Sequence, residues 1–271
     1  MALQQFVQNW EKEISQWMNT PQIDPKLLVT KNSANVFQNN FMPEPYLGDP
    51  DKHSFVIINL NPGGGLLHSW NPCKNIQGTL INRVKNNSYE HAVKSFPYLC
   101  DKKQTGFRDW NDYGARKWWM QKKDWIDYIT SNGNTRKALK EFPFAIELFP
   151  WHSSGWDNRI VSEMKPGGAL ATETQKVVDA VRDAINNSTI KFAYSVGKDI
   201  GNIFYDYGFK DSSIYRTPFT PIKGNTRTYR VLDDNNGHIL INTWAQGGNK
   251  YPAKDFWQEE IKILRKLNIL P

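Results

Sequence analysis

The hydrophobic positions of this chain alternate between short apolar runs and longer stretches with helical spacing. Four apolar runs predict buried strands, at 54–61, 144–149, 190–196 and 238–243. A polar or glycine-containing loop follows each run, and in most cases a helix follows the loop. This succession predicts an α/β fold built on a largely parallel sheet.

Helical spacing and turn residues supply the remaining elements. Helices are predicted at about 3–18, 114–129, 170–186, from 198 onward, and at about 253–267. Two strands joined by Lys223-Gly224-Asn225 are predicted within 214–233 and form an added β-hairpin. No linker, repeat or low-complexity segment interrupts the pattern. The chain is therefore predicted to be a single α/β domain, 1–271, with an N-terminal helix and wrapping segment at 1–53 and a core at 54–267.

The composition favours a polyanionic partner. The chain has 34 Lys and Arg against 27 Asp and Glu, a formal net charge of +7, and basic side chains that neutralise phosphates release counterions. The 11 Trp, 11 Tyr and 14 Phe include several beside basic residues, as at 116–119 and 121–125. Such interleaving suits stacking on bases beside phosphate contacts, and packing on a helix face is the alternative. DNA is the predicted partner, in single- or double-stranded form.

The sequence disfavours several kinds of site. Cys73 and Cys100 are too few for a disulfide framework or a four-thiolate metal site. The five His are scattered without metal-ligand spacing, so neither a metal nor a cofactor is expected. No apolar run is long enough to cross a membrane, and the first ten residues do not resemble a secretory signal. We expect a reduced, cytoplasmic protein with no membrane partner.

The loop after the first strand is the most distinctive. Its residues, Asn61-Pro62-Gly63-Gly64-Gly65, must turn sharply and can approach a ligand closely. Asn61 offers an uncharged amide that can hold a water molecule, and a tight turn without chemistry is the alternative. Right-handed crossovers bring the loops after strands one, two and four to one end of the sheet. Ligands of open α/β sheets bind at that end, so one shared site is predicted.

The second strand and its loop contribute Glu147 and His152. Glu147 interrupts an apolar strand, and because a buried carboxylate is costly without a partner, it is a candidate functional residue. The alternative is an outward-facing position at a sheet edge. His152 follows Phe149-Pro150-Trp151 and begins a polar loop predicted over 151–168. For His152 the alternative is a structural histidine.

The last strand ends among neutral polar groups. Asn242 and Gln246, together with Gly247 and Gly248, offer hydrogen-bonding groups at that point. An ordinary loop is the alternative.

Together these residues resemble the uracil-DNA glycosylase superfamily. Some branches of that family carry Asn-Pro-Gly after the first strand, and Asn61-Pro62-Gly63 matches this form. The family's second strand ends near the residue that reads the flipped base, in the region of Glu147 and His152. The resemblance covers about 54–65 and 144–267. It implies a four-stranded, mainly parallel central sheet flanked by helices on both faces.

The resemblance implies a hydrolase that flips a modified or damaged base out of DNA and hydrolyses its N-glycosidic bond. Asn61 would position the attacking water, and the backbone of 63–65 would hold a phosphate or a base edge. Gln246 or His152 would stabilise the departing base. An ionised Glu147 accepts hydrogen bonds and cannot donate them, so it would suit an amino-bearing base.

Further substrate contacts are implied by the same resemblance. They are Pro62, Gly63, Gly64, Phe149, Trp151, Asn242, Gly247, Gly248 and Lys250. In this scheme Phe149 or Trp151 stacks on the extruded base, and Lys250 touches a phosphate.

Two other functions stay open. Thr243-Trp244-Ala245-Gln246 stands where the family usually has His-Pro-Ser or a similar motif, which favours a catalytically inactive nucleic-acid-binding protein on the same scaffold. A hydrolase or transferase acting on a small nucleotide is the third possibility, although the chain has no phosphate-loop motif. Roles in DNA repair and in defence against phage DNA are both compatible with the sequence.

Overall fold

A computed structural model describes residues 2–22, 41–60, 80–94, 124–133, 142–152, 158–219, 227–245 and 254–271. Seven strands of this part of the chain form one sheet. In chain order they are β1 (Tyr46–Leu47), β2 (Val56–Asn59), β3 (Phe144–Glu147), β4 (Ala193–Val196), β5 (Lys210–Phe219), β6 (Arg227–Asp233) and β7 (Ile239–Ala245). Their order across the sheet is β1-β3-β2-β4-β7-β6-β5.

The centre of the sheet consists of the four predicted strands. β3, β2, β4 and β7 run parallel to one another. β1 is antiparallel to β3 at one edge, and β6 and β5 continue antiparallel beyond β7. The α/β class is confirmed, and the four predicted central strands are parallel; the sheet as a whole is larger and more mixed than expected, because β1, β6 and β5 bring it to seven strands through antiparallel pairs.

The three extra strands have different causes. β1 has two residues, too few for any alternation of polar and apolar positions, and it lies in the predicted wrapping segment. The predicted hairpin is part of the main sheet, since β6 pairs with β7 from Arg227↔Ala245 to Asp233↔Ile239. This pairing satisfies the main-chain groups along a strand that would otherwise be an open edge.

Helices surround the sheet. They are α1 (Ala2–Asn19), α2 (Tyr89–Lys94), α3 (Asn158–Glu163), α4 (Ala171–Asn187), α5 (Lys198–Asp206) and α6 (Lys254–Lys266). Residues 80–86 and 124–130 are also helical. The sequence predicts a polar loop over 151–168, and the structure places helix α3 within it. Ile160 and Val161 are buried and anchor this helix, which is too short to show periodicity. Across the described ranges, no helix combines the length and apolar character that a membrane crossing requires.

One face of the sheet packs against α4 and α5. On this face the ring of Phe144 lies beside that of His53, with centroids 5.3 Å apart. The imidazole Nε2 of His53 lies 2.8 Å from the carbonyl oxygen of Ala184 in α4. Helix α1 packs against α4. It buries a stripe at helical spacing that consists of Leu3, Phe6, Val7, Ile14 and Trp17.

The opposite face packs against residues 124–130 and α6. Val56 pairs with Phe144, so its neighbour Phe55 points to this other face. Trp125 contacts Phe55 edge-on with centroids 5.6 Å apart, and its ring centroid is 4.5 Å from that of Tyr194. Helices therefore cover both faces of the sheet, and its carboxyl edge is left for the loops.

Candidate functional site

The candidate site lies at the carboxyl edge of the parallel strands. β2 and β3 are neighbours and end there side by side, at Asn59 and Glu147. β4 and β7 reach the same edge, where Val196 pairs with Thr243. The three loops that the sequence predicts to form the site follow β2, β3 and β7 in the chain. In open α/β sheets this edge is where ligands bind.

Asn59 and Glu147 form a hydrogen-bonded pair at this edge. They are register partners, and the side-chain Nδ2 of Asn59 donates to the carboxylate Oε1 of Glu147 over 2.7 Å. Glu147 is only 6% exposed, and β3 is paired on both sides, by β1 and by β2. The alternative of an outward-facing residue at a sheet edge is therefore wrong. This hydrogen bond offsets part of the cost of burying the carboxyl group.

Asn59 was not among the predicted site residues. It is the last residue of β2, within the predicted strand and two positions before Asn61. Asn59 can be recognised only from its pairing with Glu147 in the parallel β2–β3 register. The predicted strand boundaries do not specify that register. The pair fixes the Glu147 carboxyl group at the end of β3, beside a residue that lies two positions before Asn61 in the sequence.

His152 lies just past β3 and is held by a carboxylate. Its Nε2 is 3.1 Å from Oε1 of Glu44, and its ring centroid is 5.4 Å from that of Phe41. His152 is 3% exposed, whereas the Glu44 side chain is 16% exposed. Two backbone bonds secure this arrangement, from the Glu44 amide to the Pro150 carbonyl and from the Glu147 amide to the Pro45 carbonyl. The sequence did not indicate Glu44, because it lies more than a hundred residues before His152.

Phe149 and Trp151 line a cavity to which Glu147 does not contribute. Both are 3% exposed, and both line a cavity of about 510 Å³ between α1, α4 and the segment 148–151. Glu147 and His152 do not line this cavity. The structure therefore does not bring the predicted stacking residues and the predicted base-reading carboxylate into one cavity.

Asn242 has a role in the fold. It lies within β7, not after it, and is fully buried. Its Nδ2 donates to Oγ of Ser195 (2.8 Å) and to the carbonyl oxygen of Gly197 (2.9 Å), so it ties β7 to the turn between β4 and α5. A Cβ built at Gly201 would lie 2.2 Å from Oδ1 of Asn242. With its amide used in this way, Asn242 is not part of the site that we propose below.

The remaining predicted site residues lie outside the described part of the chain. They are Asn61, Pro62, Gly63, Gly64, Gln246, Gly247, Gly248 and Lys250. The turn at Lys223-Gly224-Asn225 and the Trp-rich segments at 116–119 and 121–123 also lie outside it.

A second buried carboxyl group lies on the face of the sheet that packs against α6, and the sequence did not indicate it. Glu260 of α6 is 1% exposed and accepts a 2.6 Å hydrogen bond from Nε1 of Trp125. The Tyr229 hydroxyl lies 3.5 Å from its other oxygen. Burial raises the pKa of Glu260 to about 8, although the hydrogen bonds from Trp125, Tyr229 and Tyr194 act in the opposite direction. At neutral pH this raised pKa favours the protonated, uncharged carboxyl group.

No metal centre is present among the described residues, where no group of three or more His, Cys, Asp and Glu is arranged to hold an ion. No protein-family model matches the chain, and no significant match exists among curated proteins or solved structures.

Proposed function

We propose that this protein is a DNA glycosylase that flips a modified or damaged base from DNA and hydrolyses its N-glycosidic bond. The observation that carries the proposal is the Asn59–Glu147 pair, a buried carboxylate fixed at the ends of two adjacent parallel strands. The Asn61-Pro62-Gly63 sequence begins two residues beyond Asn59. The four central parallel strands agree with a uracil-DNA glycosylase-like fold extended by β1 and by the β5–β6 hairpin.

Glu147 is the base-reading group in this proposal. An ionised carboxylate accepts hydrogen bonds and cannot donate them, so it selects a base with an exocyclic amino group over one with a carbonyl at that position. Asn59 holds the carboxylate in place before the base arrives. A group that is already oriented needs no reorganisation during the reaction.

The bond cleavage needs a water molecule and a stabilised leaving base. The C1′–N bond breaks as its electron pair moves to the base, and the oxygen of the water forms the new bond to C1′. Asn61 positions this water. His152, oriented by Glu44, or Gln246 donates a hydrogen bond to the base as it becomes negative. The proton that the water loses passes through solvent to the departed base anion, so that the products are a sugar with a hydroxyl at C1′ and the neutral base. The small number of Cys in the chain agrees with this activity in the cytoplasm.

A base-release assay tests the proposal. Single- and double-stranded oligonucleotides, each with one modified or damaged base, are incubated with the protein, and alkali then cuts the strand wherever a base is lost. We expect cleavage at an amino-bearing base. Asn61→Ala and Glu147→Gln should each reduce the rate by about a hundredfold or more, the effect of removing a preorganised group. Glu173→Gln, an exposed carboxylate of α4, is the matched control and should leave the rate unchanged.

The results that would overturn the proposal are the absence of base release from every substrate, or release unaffected by Asn61→Ala and Glu147→Gln. Salt-dependent DNA binding without release would instead favour the catalytically inactive nucleic-acid-binding protein. The sequence from Thr243 to Gln246, which lacks the family's His-Pro-Ser motif, is the observation that supports this second candidate.

A further inference from the structure

The cavity between α1, α4 and the segment 148–151 is large enough for a small organic molecule. Its volume is about 510 Å³. Well-packed protein interiors contain few voids larger than a water molecule, whereas sites for small ligands have volumes of roughly 300–1,000 Å³. The size of this cavity is therefore that of a ligand site.

Aromatic residues line much of this cavity. Phe6 and Trp10 come from successive turns of α1, and Phe149 and Trp151 come from the segment after β3. Phe6, Phe149 and Trp151 are at most 5% exposed, and Trp10 is partly buried against the core. Aromatic walls favour a planar ring, which can stack on them or meet them edge to face.

The charges around the cavity balance one another. In α4, the ammonium of Lys176 is 2.9 Å from a carboxylate oxygen of Glu173. The carboxylate of Asp179 is 2.8 Å from the guanidinium of Arg182 in the same helix. In α1 the cavity meets the exposed dipeptide Lys12-Glu13, whose charges are opposite in sign. A charged ligand would lose hydration among apolar walls without gaining an unpaired opposite charge, so an uncharged ligand is favoured.

Two amides of α1 provide a hydrogen-bond donor and an acceptor at the exposed side of the cavity. Gln5 and Asn9 lie one helical turn apart and both line the cavity. Nε2 of Gln5 donates to Oδ1 of Asn9 over 2.8 Å. This bond orients both side chains and leaves Oε1 of Gln5 as an acceptor and Nδ2 of Asn9 as a donor. A heterocycle in which an N–H group adjoins a carbonyl group, as in a lactam, is complementary to this pair.

The cavity and the candidate site share the segment 148–151. Its residues line the cavity, while its main chain bonds to the end of β2. The amide of Leu148 donates to the carbonyl oxygen of Asn59 over 2.9 Å, and that of Phe149 donates to the carbonyl oxygen of Leu60 over 2.8 Å. A ligand in the cavity would therefore contact a segment that is fixed to the candidate site, although the two sites are distinct.

We propose that this cavity binds an uncharged, planar heteroaromatic molecule. The ring packs against the aromatic wall, and a neighbouring N–H and carbonyl of the ligand bond to Gln5 and Asn9. This binding does not depend on the proposed base excision.

Carbostyril, the lactam of the quinoline ring system, is the probe that tests this site. Its carboxylate and aminomethyl derivatives keep the ring and the lactam and add a negative or a positive charge. Quinoline keeps the ring without the lactam. Isothermal titration calorimetry on the full chain at neutral pH measures the dissociation constants. We expect each charged derivative to bind at least about tenfold more weakly than carbostyril, and quinoline about fivefold more weakly.

Three variants locate the binding. Val177→Phe adds a ring to the wall of the cavity and should abolish binding of carbostyril. Asn9→Leu removes the donor at a half-exposed position and should weaken binding about fivefold, to the level of quinoline. Gln8→Leu changes the adjacent exposed residue of α1, outside the cavity, and is the matched control that should leave binding unchanged. Circular dichroism checks that each variant is folded.

The proposal is overturned if carbostyril does not bind, if its charged derivatives bind equally well, or if neither Val177→Phe nor Asn9→Leu weakens binding. If Val177→Phe does not fold, the comparison of Asn9→Leu with Gln8→Leu decides the outcome. None of these measurements uses DNA, so failure of the cavity as a binding site and failure of the glycosylase proposal are separate results.

Discussion

The amide of Asn59 holds the carboxylate of Glu147 across the β2–β3 pair, with Nδ2 and Oε1 2.7 Å apart. The two residues are register partners at the last positions of adjacent parallel strands. Glu147, which the sequence predicts as a site residue, is thus oriented by Asn59, which the sequence does not predict. The strength of this contact can be measured separately from any enzymatic activity.

Asn59→Ala should lower the free energy of unfolding by about 1–3 kcal/mol, because it removes a donor from a buried carboxylate. Urea denaturation measures the change. In a Glu147→Gln background the same substitution should cost less, since a neutral amide loses less than a charge when a donor is removed. Equal losses in the two backgrounds would show that the two side chains are not coupled.

Glu260→Gln should stabilise the protein at neutral pH. The pKa of Glu260 is raised from 4.5 to about 8 in the folded protein, so the folded state holds its proton more tightly than the unfolded state. The stability that this gives is complete below about pH 4.5 and is lost as the pH rises toward 8. At pH 7 the loss amounts to about 3 kcal/mol.

Glutamine cannot ionise, so the variant avoids this loss and can still accept a hydrogen bond from Trp125. Thermal unfolding at several pH values checks the prediction: the variant should gain stability over the wild type as the pH rises from 5 to 8. A difference in melting temperature that is independent of pH would contradict it.

Gly201→Ala should destabilise the protein by about 1–3 kcal/mol, the usual cost of forcing extra volume into a packed interior. The added Cβ would lie 2.2 Å from Oδ1 of Asn242. Asn242→Ala should also destabilise, because Ser195 and Gly197 lose their amide donor. In the double variant the clash with the amide is absent, so denaturant unfolding should give a total loss smaller than the sum. Strict additivity would argue against the contact.

Glu44→Gln and His152→Gln should each slow base release, with an effect on kcat larger than on KM. A preorganised hydrogen-bond donor to the departing base contributes about a hundredfold or more to a rate, and Glu44 acts through the imidazole that it holds. The double variant should be little slower than His152→Gln alone, because one residue works through the other. His91→Gln, an exposed histidine of α2, is the control. A double variant slowed by the product of the two single effects would show that Glu44 acts independently of His152.

The sequence by itself determined the elements whose signal is local. The apolar runs around Phe55, Ile146, Tyr194 and Ile241 produced the four central strands, and the stripe on α1 produced the first helix, because burial of one side imposes a period on neighbouring positions. It also identified Glu147, because a charged residue within an apolar strand can be recognised from its immediate neighbours alone.

Only the tertiary structure decided which residues meet across the chain. β1 and α3 are too short to carry a period, and the placement of the hairpin in the main sheet depends on pairing with β7. The partners of Glu147, His152 and Glu260 are Asn59, Glu44 and Trp125, each more than 80 residues away in sequence. Asn242 was expected at the end of its strand and is buried inside it. Hydrogen-bond partners of this kind follow from strand register and helix docking, which are set by the packing of the whole core and by no local pattern.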